Sequence, residues 1–134
     1  MLSWRSSADY QAVNSYSMEL VIDTTQPGIL VLELRENQKR VSRLQKQTEK
    51  LSEEILSQIN FLLRHHRVNL RELQKISVNP GPGGFSSTRT GVTVANALAY
   101  ALDIPVATWP GGRVKKMVLP HYDHPPHITR PKPV

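Results

Sequence analysis

Ile76-Ser77-Val78-Asn79-Pro80-Gly81-Pro82-Gly83-Gly84-Phe85-Ser86-Ser87 decides the fold, because it joins a β-rich run to a long helical one through residues that suit neither. Glycine loses the most backbone entropy in regular structure and proline lacks an N–H donor, so Gly81 to Gly84 must turn. Ser86 or Ser87 can cap the next element, and Thr88 to Leu102 reads as a helix ending at Asp103. Pro105 then fixes the exit into a strand, Val106 to Trp109.

On the N-terminal side of this stretch, Lys75 to Val78 is a brief strand. Before it, Asn69 followed by Glu72 predicts a capping pair opening a single turn, Leu70 to Leu73. Leu51, Ile55, Ile59, Leu62 and Leu63 recur at helical spacing, with Leu56 and Phe61 widening the stripe. Glu53 and Glu54 in the first turn and Arg64, His65 and His66 in the last match the helix dipole. Farther back, two apolar runs, Leu20 to Ile22 and Ile29 to Leu34, flank Gln26-Pro27-Gly28 and predict a hairpin. Gln38 to Thr48 is polar except for Val41 and Leu44, and reads either as a third, edge strand or as the approach to the helix. Strands paired by a hairpin and then joined through helices give an α/β fold, a mixed sheet with helices packed on it.

The 134 residues suffice for one modest core. Hydrophobic residues make up 39% and charged residues 21%, a balance that fits a globular chain better than a disordered one. There is no cysteine, which excludes disulfides, thiolate metal sites and cysteine nucleophiles. Nowhere do eighteen apolar residues run together, and a cytoplasmic protein without a membrane span is expected. Of the formal charge of +6, four units come from Arg113, Lys115, Lys116, Arg130 and Lys132 against Asp123. Residues 110–134 therefore read as a basic, Pro/His-rich tail, mobile from His121 onward, either a solvated linker or a contact for nucleic acid. Residues 1–17 read as a flexible leader. His121, His124 and His127 would align on a polyproline helix, but nothing rigid surrounds them, and no metal site is assigned.

Two features could carry function. A glycine-rich turn entering a helix exposes N–H groups and positive dipole to an anion, so Gly83, Gly84, Ser86 and Ser87, with Asp23 at the end of the first strand, are candidate phosphate-binding residues. The alternatives are that the glycines only turn the chain and that Asp23 caps the Gln26-Pro27-Gly28 turn. In the helix, Gly91, Ala95 and Ala99 form a face almost without side-chain bulk, beside a row of Val94, Leu98 and Leu102. Such a helix is apolar nearly all round and should be covered on more than one side, by another chain or within the fold. No nucleophile, base and orienting group can be assembled, so no catalytic residue is assigned.

Leu20-Val21-Ile22-Asp23-Thr24-Thr25, the helix Leu51 to His66, the run Ile76 to Val92 and Ala97 to Val106 together resemble the TsaB (YeaZ) family of bacterial tRNA threonylcarbamoyladenosine synthesis. The most specific part is Gly81, Pro82, Gly83, Phe85, Arg89 and Gly91, within a match from Met18 to about Trp109. The resemblance implies an actin-like, ribonuclease-H-like single lobe and a non-catalytic, cofactor-free subunit. Its implied partners are a TsaD-like catalytic subunit and a TsaE-like ATPase, with a homodimer as a further pairing and tRNA contacted indirectly. In the family the two helices of this lobe build the subunit interface. The matching positions are Ile55, Ile59, Leu62, Gly91, Val94, Ala95, Leu98 and Ala99. The tail stands where the family has a second lobe, and Gly84, Ser86 and Ser87 depart from its usual residues. A nucleotide- or phosphate-binding domain with independent activity is the alternative reading.

Overall fold

Apolar runs build the first two strands, and a mostly polar third pairs beside them. In the computed structural model, which describes residues 17–121, β1 (Met18–Asp23), β2 (Ile29–Glu36) and β3 (Lys39–Gln47) form an antiparallel meander. Leu30, Leu32 and Leu34 are fully buried on one face of β2, and the residues between them alternate onto the other. Gly28, at φ +80°, lets the first hairpin turn, and the Ile29 N–H donates to the Gln26 carbonyl at 3.1 Å. Residues 39–47 take the edge-strand alternative; Leu44 is the residue of β3 that packs against the core.

After the meander come α1 (Leu51–His65), a 3₁₀ turn (Leu70–Glu72), β4 (Lys75–Val78), α2 (Phe85–Leu102), β5 (Val106–Thr108) and β6 (Val114–Lys115). The sheet order is β3-β2-β1-β4-β5-β6, with β4 parallel to both β1 and β5. Leu20, Ile22, Leu30, Leu32, Leu34, Ile76, Val78 and Val106 meet the buried sides of both helices in one core. Both helices thus lie on the same face of the sheet. This is the mixed-sheet α/β lobe with helices packed on it that the sequence predicts.

The start of α1 is fixed from the preceding strand. Thr48 Oγ1 accepts from the Lys50 N–H and donates to Glu54 Oε1, each at 3.0 Å, while Lys46 Nζ lies 3.2 Å from Glu54 Oε2. The Thr48 hydrogen bond, then Lys46, holds the Glu54 carboxyl below the usual carboxylate range. The turn before β4 is also capped as its sequence suggests, Asn69 Oδ1 accepting from the Arg71 N–H at 2.9 Å.

The second helix begins at Phe85, three residues before the Thr88 start inferred from the serines. Gly84 takes the cap position, since its carbonyl accepts the first helical bond from the Thr88 N–H at 2.9 Å. Its own N–H donates to the Thr25 carbonyl at 3.0 Å, so the turn is held against the first hairpin and the helix starts at once. Asp103, in the left-handed region at φ 56°, ends it.

The ordered lobe continues past Trp109. Val114 and Lys115 pair with β5, and Val118 is 1% exposed within the core. Asn96 of α2 clamps Val118 at both backbone groups: Nδ2 donates to its carbonyl and Oδ1 accepts from its N–H, each at 2.8 Å. Residues 117–121 therefore strap across α2, and the His121 N–H reaches the Pro80 carbonyl. Residues 1–16 and 122–134, with His124 and His127, lie outside the described residues. Replacing Asn96 by Leu removes both partners of a buried peptide unit; unfolding in urea is expected to show a loss of about 1–3 kcal/mol.

Candidate functional site

The glycine-rich turn sits at the carboxyl ends of β1 and β4, where open α/β sheets place ligands. Asp23 is fully engaged there. One oxygen accepts from the Thr25 N–H at 3.0 Å and the Thr25 hydroxyl at 2.7 Å, and the other accepts from Asn79 Nδ2 at 3.0 Å. Asn79 in turn donates its N–H to the Ile22 carbonyl and accepts from the Gly81 N–H. The polar groups at the ends of the two strands thus bond one another, with Asp23 and Asn79 half-buried.

The glycines of this turn mark close approaches. A Cβ on Gly83 would come within 2.6 Å of the Thr25 carbonyl oxygen, and one on Gly84 within 2.6 Å of the Pro27 ring. The Ser87 carbonyl accepts from the buried Thr24 hydroxyl at 2.5 Å, while Ser86 faces solvent. The five residues considered for phosphate binding are therefore gathered in one place, where Asp23, Gly83, Gly84 and Ser87 tie the start of α2 to the β1–β2 turn.

The bulk-free face of α2 turns inward. Ala95 is fully buried and Ala99 is 3% exposed, both within the core, and a Cβ on Gly91 would stand 2.2 Å from Thr24 Oγ1. The small residues let the helix lie close against the sheet, and its second cover comes in part from the strap at Val118. Ile55, Ile59 and Leu62 of α1 are likewise buried. Val94 and Leu98 are half-buried at the margin of the core.

Between the helices lies an apolar groove of about 490 Å³. Ile59 and Leu63 lie along it with Leu56 and Asn60, Leu98 of α2 forms part of its wall, and Val68 and Leu70 lie at its end. Leu56 is 56% exposed and Phe61, on the same helix, 59%. Of the interface residues inferred from sequence, the structure brings Ile59 and Leu98 together here. Leu56, Leu70 and Arg64 complete the groove without having been singled out for it; the readable sign for Leu56 was its place outside the buried row of Ile55, Ile59 and Leu62.

The sheet face away from the helices is sealed by its own side chains. Glu19, 6% exposed, accepts from the Ser77 hydroxyl and lies 3.4 Å from Lys75 Nζ and 3.8 Å from Arg35 Nε. The Arg35 guanidinium lies 4.9 Å from the Trp109 ring centroid. Because β2 and β5 are separated by β1 and β4, this contact spans the two middle strands, and Val21 and Ser77 are buried on that face.

Comparison with known proteins gives a consistent picture. Residues 44–108 match the family described as TsaD: tRNA N6-adenosine threonylcarbamoyltransferase. Over 88 residues the chain is 32% identical to the tRNA threonylcarbamoyladenosine biosynthesis protein TsaB of Bacillus subtilis, covering 66% of this chain and 38% of that protein. The Haemophilus influenzae protein of the same name is 28% identical over 88 residues, covering 65% of this chain and 36% of the relative. The chain thus spans less than two-fifths of the length of these curated relatives. YeaZ from Pseudomonas aeruginosa superimposes with a TM-score of 0.63 at 26% identity, over 69% of this chain and 43% of that one. Gly91→Ala tests the close approach directly: the added methyl must displace Thr24, and a urea titration should show a loss of about 1–3 kcal/mol.

Proposed function

The chain carries a lobe of the TsaB (YeaZ) family, and on that premise we propose that it serves tRNA threonylcarbamoyladenosine biosynthesis as a non-catalytic subunit that docks a TsaD-like catalytic partner through the α1–α2 groove. The observation that carries this reading is the groove. It is a mainly apolar depression bordered by the exposed Leu56 and Leu70. Interfaces draw most of their energy from a few well-packed apolar anchors, and a depression of this kind can take one.

The accessory role is supported by how the polar groups are engaged. Asp23 is held by Thr25 and Asn79, and Ser77 is 1% exposed and bonded to Glu19. Ser77 is thus out of reach of solvent, and the half-buried Asp23 carboxylate is already bonded within the protein. On this reading the partner performs the chemistry on adenosine, a TsaE-like ATPase joins the assembly, and the complex works in the cytoplasm. tRNA is then held chiefly by the partner, with the basic residues from Arg113 onward adding salt-sensitive attraction.

Leu56→Glu and Leu98→Glu, each checked for an unchanged circular dichroism spectrum, are expected to weaken co-purification with the TsaD-like subunit by at least about tenfold, since a charge would be desolvated at the groove. In a cell depleted of its own TsaB, the wild-type chain should restore the modified nucleoside and the variants should not. A complex that survives both substitutions in folded protein would place docking elsewhere.

A further inference from the structure

The outer face of α1 carries an aromatic residue that the core does not need. Ile55, Ile59, Leu62 and Leu63 are the buried residues of the helix, whereas Phe61 is 59% exposed. Nor does Phe61 belong to the groove, since it stands about 140° farther round the helix than Leu56. Its ring stacks instead with that of His65 one turn later, the centroids 6.0 Å apart and the planes inclined by 13°. His66 meets His65 edge-on, with centroids 5.2 Å apart. Three rings thus gather at the end of the helix, Phe61 and His65 among them exposed.

Cations border these rings. Arg64 and Arg67 are exposed on either side of His65 and His66, and Arg71 follows on the 3₁₀ turn. Glu72 is the one carboxylate between Glu54 and Lys75. Glu54 itself lies about 10 Å back along the helix axis from Phe61 and is paired with Lys46. Because β3 and β4 are parallel, α1 runs back between them, and its last turn reaches the end of the sheet where β4 begins. The charges there largely answer one another: Glu36 faces Lys39 across β2 and β3, and Lys75 is paired with Glu19. Asp103, the further carboxylate at this end, leads into β5, across β1 and β4 from β2. The arginines beside the rings are left in excess.

One ring edged by cations is little apolar surface for a protein partner, when a stable interface covers about 800 Å² on each side. It suits an unpaired nucleotide, whose base has a flat face to stack and whose phosphate takes a guanidinium. We propose that the Phe61–His65 stack, with Arg64 and Arg67, is a contact site for unpaired RNA nucleotides; the choice of tRNA among the probes rests on the role in tRNA modification given above. A base stacks on the exposed Phe61 ring, and the two arginines take neighbouring phosphates. RNA then has a site on the folded lobe, apart from the basic residues that follow Arg113.

The test titrates the full chain into a labelled, unstructured RNA dodecamer and into an unmodified tRNA transcript, reading fluorescence anisotropy over a series of salt concentrations. Each variant is first checked for an unchanged circular dichroism spectrum. Phe61→Ala should weaken binding of both RNAs at least about fivefold and leave the slope of log K against log salt unchanged. Arg64→Gln/Arg67→Gln should make that slope shallower by about 1.4, the share of two single-strand phosphate contacts. Tyr100→Ala removes an aromatic ring that is 90% exposed on the other helix, and should change Kd by less than about twofold. No saturable binding by the wild type, or an equal loss from Tyr100→Ala and Phe61→Ala, would overturn the inference. So would binding that survives the Phe61 and arginine changes and disappears with Arg130→Gln/Lys132→Gln, which would assign the attraction to the tail. Leu56→Glu should bind RNA as the wild type does, and Phe61→Ala should still co-purify with the TsaD-like subunit, so the RNA site and the docking role fail separately. If Phe61→Ala loses the partner and keeps RNA, the ring stack is a protein contact and the inference is wrong.

Discussion

The lobe depends on how closely α2 can approach the β1–β2 turn. Gly91 lies beneath Thr24, whose hydroxyl donates to the Ser87 carbonyl, and Gly83 and Gly84 bring the turn before the helix against Thr25 and Pro27. Any larger residue at Gly91 would have to displace the Thr24 side chain or move the helix. The consequences extend along its length, since Ala95 and Ala99 continue the same face into the core. That fixes where Leu98 stands relative to α1, and hence the width of the groove. A feature that reads locally as loop chemistry therefore positions the surface on the other side of the helix.

The same close fit engages the polar groups at the strand ends with one another. Asp23, Thr24, Thr25 and Asn79 satisfy one another across the junction of β1, β4 and α2. Thr24 is buried and Asp23, Thr25 and Asn79 are half-buried, so an anion arriving there would compete with bonds already made. On the opposite sheet face Glu19, Ser77, Arg35 and Trp109 do comparable work, letting a sheet with helices on one side keep Val21 dry. The seam between the helices stays open.

Much of the fold was legible because it rests on periodicity. The apolar spacing of α1, the Pro-Gly hairpin and the glycine-rich break before α2 each have a local cause. The start of α2 was misplaced because two serines beside a turn look like caps, whereas the cap position is set by a contact with Thr25, which belongs to the first hairpin and is remote in sequence. The strap was illegible for a similar reason: Val118 is one apolar residue in a basic stretch, and only Asn96, on another element, reveals what it does. Gly91, Ala95 and Ala99 signalled close packing correctly, but sequence could not say whether the neighbour was the protein's own sheet or another chain. Burial answers that for the helix's inner face; Leu56 was visible only as a residue off the buried row.

Charge is the property whose meaning the structure changes most. Counted along the sequence, the positive excess belongs to the last residues and suggests a solvated tail. Placed on the fold, the remaining body has its own pattern. On the edge strand β3, Lys39, Arg40 and Arg43 are exposed, and charged side chains along an open strand discourage pairing with another sheet. Around the groove the arginines have the opposite consequence, because there they border apolar surface that gains by being covered. Basic residues at the edge repel a neighbouring strand of like charge, whereas Arg64 at the groove stands beside Leu56 and Leu98, where its charge borders apolar surface.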